Sequence, residues 1–243
     1  MHRSSAQSTL EFPIMSKSAS SRHATPCTCG AARLTRRGFL AGGAALGAGL
    51  AMPSWAQERA KSIRSLRGAV RVNGERATAS APVRIGDTIV TGTDGRISFV
   101  VGSDAFFLRE NSELKIEASA VGRGIIDSLR MVTGALGAVF GKRASGQLAL
   151  HTPTVTAGIR GTGCYTEVRD GGVYFCTCFG AIQLESLNGG PRELVVSSHH
   201  DPRRIMRDSA THNMMMIPAG FGMHTDQEMD ALEKLVGRRA PWA

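Results

Sequence analysis

Apolar and polar positions alternate with a period of two from Leu66 onward, and turn residues interrupt the alternation roughly every 8 to 12 residues. Gly68–Asn73 alternates around Val70 and Val72 and turns at Asn73-Gly74. Val83–Asp87 and Thr88–Val90 follow, ended by Thr91-Gly92-Thr93-Asp94-Gly95. Arg96–Val101 and Ala105–Leu108 flank Gly102-Ser103-Asp104, and Leu114–Glu117 alternates again. Ser128–Val132 runs into a turn at Thr133-Gly134. Gly137–Phe140, Leu148–Thr152, Val155–Ile159, Cys164–Val168, Val173–Phe179, Ile182–Ser186 and Glu193–Ser197 complete the series. Strands this short, without a helical period between them and without a glycine-rich phosphate loop opening a helix, predict a mainly β fold. The expected architecture is a short-strand β-sandwich or a β-solenoid-like domain.

Beyond Pro191 the composition shifts to His, Met and Arg: His199-His200-Asp201-Pro202-Arg203-Arg204, then His212-Asn213-Met214-Met215-Met216, then Gly222-Met223-His224. This tail, 191–243, carries the one clear helix signature, over 226–236. Thr225 can accept from the backbone N–H of Glu228 while the Glu228 carboxylate reaches back, the two halves of a capping box. Met229, Leu232, Leu235 and Val236 form an apolar stripe, Gly237 stops it, and the stripe is expected to pack on the β core.

The N-terminal part follows neither pattern. Thr35-Arg36-Arg37-Gly38-Phe39-Leu40 matches the twin-arginine export signal, and a mildly apolar run from Gly38 to Met52 leads to Pro53-Ser54-Trp55-Ala56. At about 15 residues the run falls short of the roughly 20 that span a bilayer core. Residues 1–56 are therefore expected to be a signal peptide cleaved after Ala56, translated from Met1 or Met15, with 57–65 a linker and 66–190 the β domain. The mature protein is expected in the bacterial periplasm without stable membrane insertion. Six Lys/Arg and one acidic residue lie in 1–56, so the formal charge of +9 falls to +4 on cleavage. That remainder, without aromatic residues interleaved among the arginines, does not point to a nucleic-acid partner.

Leader cleavage also removes Cys27 and Cys29, leaving Cys164, Cys176 and Cys178 in an oxidising compartment. All three sit in one hairpin, and its turn decides what they face. With a two-residue turn at Asp170-Gly171, Cys164 lies opposite Thr177 on an apolar face with Val168, Val173, Phe175 and Phe179. Cys176 and Cys178 then share the other face with Tyr165, Glu167 and Tyr174, since residues two apart on a strand point the same way. With a three-residue turn that includes Gly172, Cys164 instead faces Cys178, and a disulfide between them is geometrically allowed. A regular strand disfavours a Cys176–Cys178 disulfide, since Cα atoms two apart are about 6.6 Å distant with side chains parallel rather than facing. A paired thiolate set suits Zn, Cu(I) or iron. The candidate metal ligands are Cys164, Cys176, Cys178, His199 and His200, with His212 and His224 as further imidazoles and Met214, Met215, Met216 and Met223 as thioethers. Structural thiols and a disulfide with one spare thiol are the competing readings.

Several turn-and-strand segments occur in an order that resembles the FecR domain: Gly68–Gly74, Ile85–Gly92, Asp94–Ile97, Asn111–Leu114, Gly134–Leu136, Thr152–Thr154, Ala157–Thr162 and Gly180. The resemblance covers about residues 66–187, and Ala157-Gly158-Ile159-Arg160-Gly161-Thr162 is its most specific part. It implies a periplasmic β module that binds or senses. The family's iron-citrate relay to a sigma factor needs a cytoplasmic helical region and a spanning helix, and only a Ser-rich stretch precedes Arg36, so the resemblance carries over the domain and not that relay. The residues that carry it are fold residues rather than a nucleophile, an acid/base pair or a ligand cluster. The expected function is an exported binding, scaffolding or sensory module that is not an enzyme, with an envelope protein or glycan as partner. The alternative is a small periplasmic metal-binding or redox protein built on the cysteine hairpin and the tail histidines.

Overall fold

The computed structural model describes residues 61–118, 126–143, 147–169 and 171–243. Arg36, Arg37, Ala56 and the rest of the predicted leader lie outside the described residues. The strands are β1 Ile63–Arg67, β2 Val70–Val72, β3 Glu75–Arg76, β4 Thr88–Thr91, β5 Arg96–Val101, β6 Asp104–Leu108, β7 Glu113–Ala118, β8 Ile126–Val139, β9 Leu148–His151, β10 Val155–Ile159, β11 Gly163–Arg169, β12 Gly172–Ser186, β13 Arg192–Ser197, β14 Asp201–Arg207 and β15 Met214–Pro218. Among the described residues one helix, α1, spans Asp226–Leu235. The mainly β expectation holds. Among the described residues no helix is long and apolar enough to cross a membrane.

The strands form two layers joined by two long members. The first sheet runs β1-β5-β6-β8-β11-β12-β14-β15, all antiparallel. The second runs β3-β2-β4-β7-β8-β9-β10-β12-β13, with β8 and β9 parallel. β8 and β12 belong to both, which closes β8, β9, β10, β12 and β11 into a ring. Each changes sheet at a glycine in the left-handed region, Gly134 (φ +83°) and Gly180 (φ +89°). A Cβ at Gly134 would meet Ser112, and one at Gly180 would meet Thr162, so only glycine lets the strand bend there.

The main core lies between the layers. It takes Ile97, Phe99, Phe106, Leu108, Leu136 and Phe175 from the first sheet and Ile89, Leu114, Leu129, Leu150, Ile159 and Leu184 from the second. The outer face of the first sheet is also covered. Ala105, Ala135, Val139, Tyr165, Tyr174, Cys176 and Cys178 there form a second cluster with Met229 and Leu232 of α1. β11 and the first half of β12 are buried on both faces, so nearly every residue along them is buried.

α1 begins as its sequence predicts. Thr225 caps it, accepting from Glu228 N at 3.3 Å, while Glu228 Oε2 accepts from Thr225 N at 2.9 Å. The region read as a tail is otherwise far more regular than expected. β14 and β15 extend the first sheet beyond β12, and the chain between them and α1 crosses back over that sheet's outer face.

Candidate metal centre

The hairpin of β11 and β12 takes the register of the two-residue turn: Cys164 is opposite Thr177, Glu167 opposite Tyr174 and Arg169 opposite Gly172. Cys164 therefore points into the core between the sheets. Cys176 and Cys178 point the other way, beneath α1, in the company of Tyr165 and Tyr174. All three thiols are free and buried. The register shift between Gly163 and Cys164 alters one neighbour: Phe179 lies with the Cys176 and Cys178 cluster rather than on the Cys164 face.

Two histidines reach the Cys176 and Cys178 face from separate loops. His200 sits in the turn between β13 and β14 with φ +51°, and its N–H donates to Cys178 O at 2.9 Å. That bond sets the turn beside β12, and His200 Nδ1 comes to 3.7 Å from Cys176 Sγ. His224 immediately precedes the helix cap and is 3% exposed. Its Nε2 is 3.1 Å from Cys178 Sγ and 3.3 Å from His200 Nδ1. One donor atom from each of Cys176, Cys178, His200 and His224 lies within 4.8 Å of all the others.

These separations fit a single small cation. With sulfur bonds of about 2.3 Å and nitrogen bonds of about 2.0–2.1 Å, tetrahedral donors stand roughly 3.3–3.8 Å from one another. The closest pair here, at 3.1 Å, needs only a small adjustment. Both imidazoles are set to present a lone pair. Asp226 Oδ1 accepts from His200 Nε2 at 2.6 Å, which places the His200 proton on that nitrogen and leaves the Nδ1 lone pair aimed at the thiols. Burial, helped by the nearby His200 and Arg109, pulls His224 down to about 3, so its ring is neutral. Burial also lowers His200 and pushes the Cys178 thiol well up. Two imidazole lone pairs thus face two buried thiols, and a cation bound there would displace the thiol protons and take all four groups as ligands.

Aromatic rings hold both imidazoles in place. His224 stacks on Tyr165 with ring centroids 4.5 Å apart, and His200 stacks on Phe221 at 4.1 Å. Trp242 lies 5.0 Å from His200. Tyr174 Oη donates to Gly220 O at 3.3 Å, fixing the loop that carries Phe221 and His224.

Of the predicted ligands, the structure brings together Cys176, Cys178 and His200. Cys164 is excluded by strand parity. His199 is half exposed and donates toward Asp226 at 3.1 Å, so it braces the carboxylate that orients His200. His212 lies in the turn before β15, apart from the cluster. His224 takes the remaining position, and the orienting role of Asp226 was not anticipated. The available signal was the helix stripe: a helix packed on the Cys176 and Cys178 face brings its first turn, with His224 and Asp226, to the thiols.

No family model matches the chain, and no curated protein matches it. Two solved structures of a "putative anti-sigma factor" from Parabacteroides distasonis, at 2.50 and 1.65 Å resolution, align with it at 7% identity and a TM-score of 0.43. Each alignment covers 54% of this chain and 59% of the other.

Proposed function

We propose that the protein is an exported binding or sensory β module of the bacterial envelope, without enzymatic activity, that holds a structural metal ion of zinc type through Cys176, Cys178, His200 and His224. The observation that carries this reading is the convergence of those four donors from β12, the β13–β14 turn and the residue before the α1 cap. Two sulfurs and two imidazole nitrogens are a donor set that suits zinc. A bound ion there would supply a cross-link between β12 and the two loops. Four protein donors leave no position for substrate, which favours a structural role over a catalytic one. The FecR-like order of turns and the Arg36-Arg37 leader support the envelope setting and the binding or sensory role. Glycans and envelope proteins are the partner classes that setting offers.

Protein purified from the periplasm should contain about one zinc per chain by elemental analysis, and Cys176→Ser or His224→Ala should lose it. Three titratable thiols and no metal in the wild-type chain would remove the centre from this reading. The envelope setting is tested separately: Arg36→Lys with Arg37→Lys should hold the protein in the cytoplasm.

A further inference from the structure

We infer that occupancy of the Cys176, Cys178, His200 and His224 centre controls whether α1 stays docked on the first sheet, so that the centre works as a metal-dependent latch for the C-terminal segment. The inference rests on the proposed metal site and concerns its regulation.

The helix depends on its docking contacts. α1 has ten residues, and an isolated helix shorter than about 12–15 residues is marginal in water. It therefore persists only while docked. Its buried apolar anchors are Met229 and Leu232, with Leu235 and Val236 packed partly buried against the same cluster. Arg109 pairs with Glu228 at 2.8 Å, with both side chains partly exposed. Arg238 pairs with Glu233 and donates to Ser103 O at 2.8 Å. The first turn adds its own hold, where His224 faces Cys178 and Asp226 bonds His200.

Those first-turn contacts share one origin. His224 and Asp226 flank the cap residue Thr225, so fixing His224 to β12 fixes the point from which the helix starts. Asp226 reaches the sheet only through His200 and His199. Without a cation, the inward-facing nitrogens of His200 and His224 stand 3.3 Å apart, with a thiol as the other near neighbour of each. Water can replace those contacts if the loop and helix lift away. With a cation, both nitrogens become its ligands and the loop is held down. The bistable element is thus the segment from His224 through α1, and the metal has differential contact with its docked state.

The test is hydrogen exchange on the full chain under reducing conditions, comparing zinc-loaded protein with the same protein after chelation and after zinc is restored. Chelation should speed exchange of peptides spanning 226–235 by at least about tenfold, leave β5 and β8 peptides unchanged, and be reversed by zinc. His224→Ala should show the fast pattern even in excess zinc. If one ion binds and is removed while 226–235 exchanges at the same rate, the latch is wrong and the metal centre stands. If β5 and β8 accelerate as much as α1, the ion stabilises the whole fold and the latch is again overturned. A chain that binds no zinc overturns both.

Discussion

Asp226 determines which nitrogen of His200 faces the sulfurs, and a metal ligand held that way depends on its partner nearly as much as on itself. Asp226→Asn keeps the size but turns an acceptor into a group that can present a donor, and it removes the negative charge beside the imidazole. Zinc affinity, measured by competition with a chromophoric chelator, should fall by about 10–100-fold while the stoichiometry stays the same. Cys164 gives the opposite expectation. Its side chain is in the core between the sheets, so Cys164→Ala should leave zinc content unchanged. Equal zinc loss from Cys164→Ala and Cys178→Ser would contradict the register. At this scale the sequence was informative about parity: a two-residue turn and an apolar alternation separate Cys164 from Cys176 and Cys178. It was silent on which histidines join them, because His200 and His224 arrive through a positive-φ turn and a loop whose paths depend on tertiary contacts.

The elements were legible where strands are bounded by ordinary turns and misleading where a glycine bends a strand that continues. Ser128–Val132 and Gly137–Phe140 read as two strands about a turn at Thr133-Gly134, but they are the two halves of β8. Val173–Phe179 and Ile182–Ser186 are likewise the halves of β12, bent at Gly180. A left-handed glycine carries the same local signature in a turn and in a strand that changes sheets, and only the pairing partners on either side distinguish them. β14 was hidden for a different reason. Lying near the sheet edge, it buries only Pro202 and Ile205, and its arginines read as loop. The bend predicts a contrast between glycines. At Gly134 a Cβ would sit 2.2 Å from Ser112 Oγ and 2.5 Å from its Cα, whereas at Gly102 (φ +62°) it would meet nothing within 4 Å. Gly102→Ala should cost about 1 kcal/mol in urea unfolding, from backbone strain alone. Gly134→Ala adds overpacking to strain and should cost roughly 2–5 kcal/mol.

At the scale of the whole molecule, the two layers are braced where the chain leaves β8. Asp104, on β6 in the first sheet, accepts from Arg143 at 2.8 Å and from Gly141 N at 2.9 Å. Arg143 also donates to Ile126 O at 3.1 Å, at the opposite end of β8, where that strand belongs to the second sheet. The side chains are 6% and 13% exposed, so this is a buried pair tying both sheets together. Burial pushes the Asp104 carboxyl up even against the pull of Gly141 and Arg143. The desolvation cost of the charge therefore exceeds what its partners return, and the brace contributes geometry more than net electrostatic stability. Two consequences separate this from an ordinary stabilising salt bridge. Asp104→Ala leaves the Arg143 guanidinium buried and unpaired and should cost about 3–5 kcal/mol in urea unfolding. Replacing both partners, Asp104→Leu with Arg143→Met, removes the stranded charge and should recover most of that loss. A double variant as unstable as the sum of the Asp104→Leu and Arg143→Met single variants would mean that the two side chains are not coupled, and would overturn the brace.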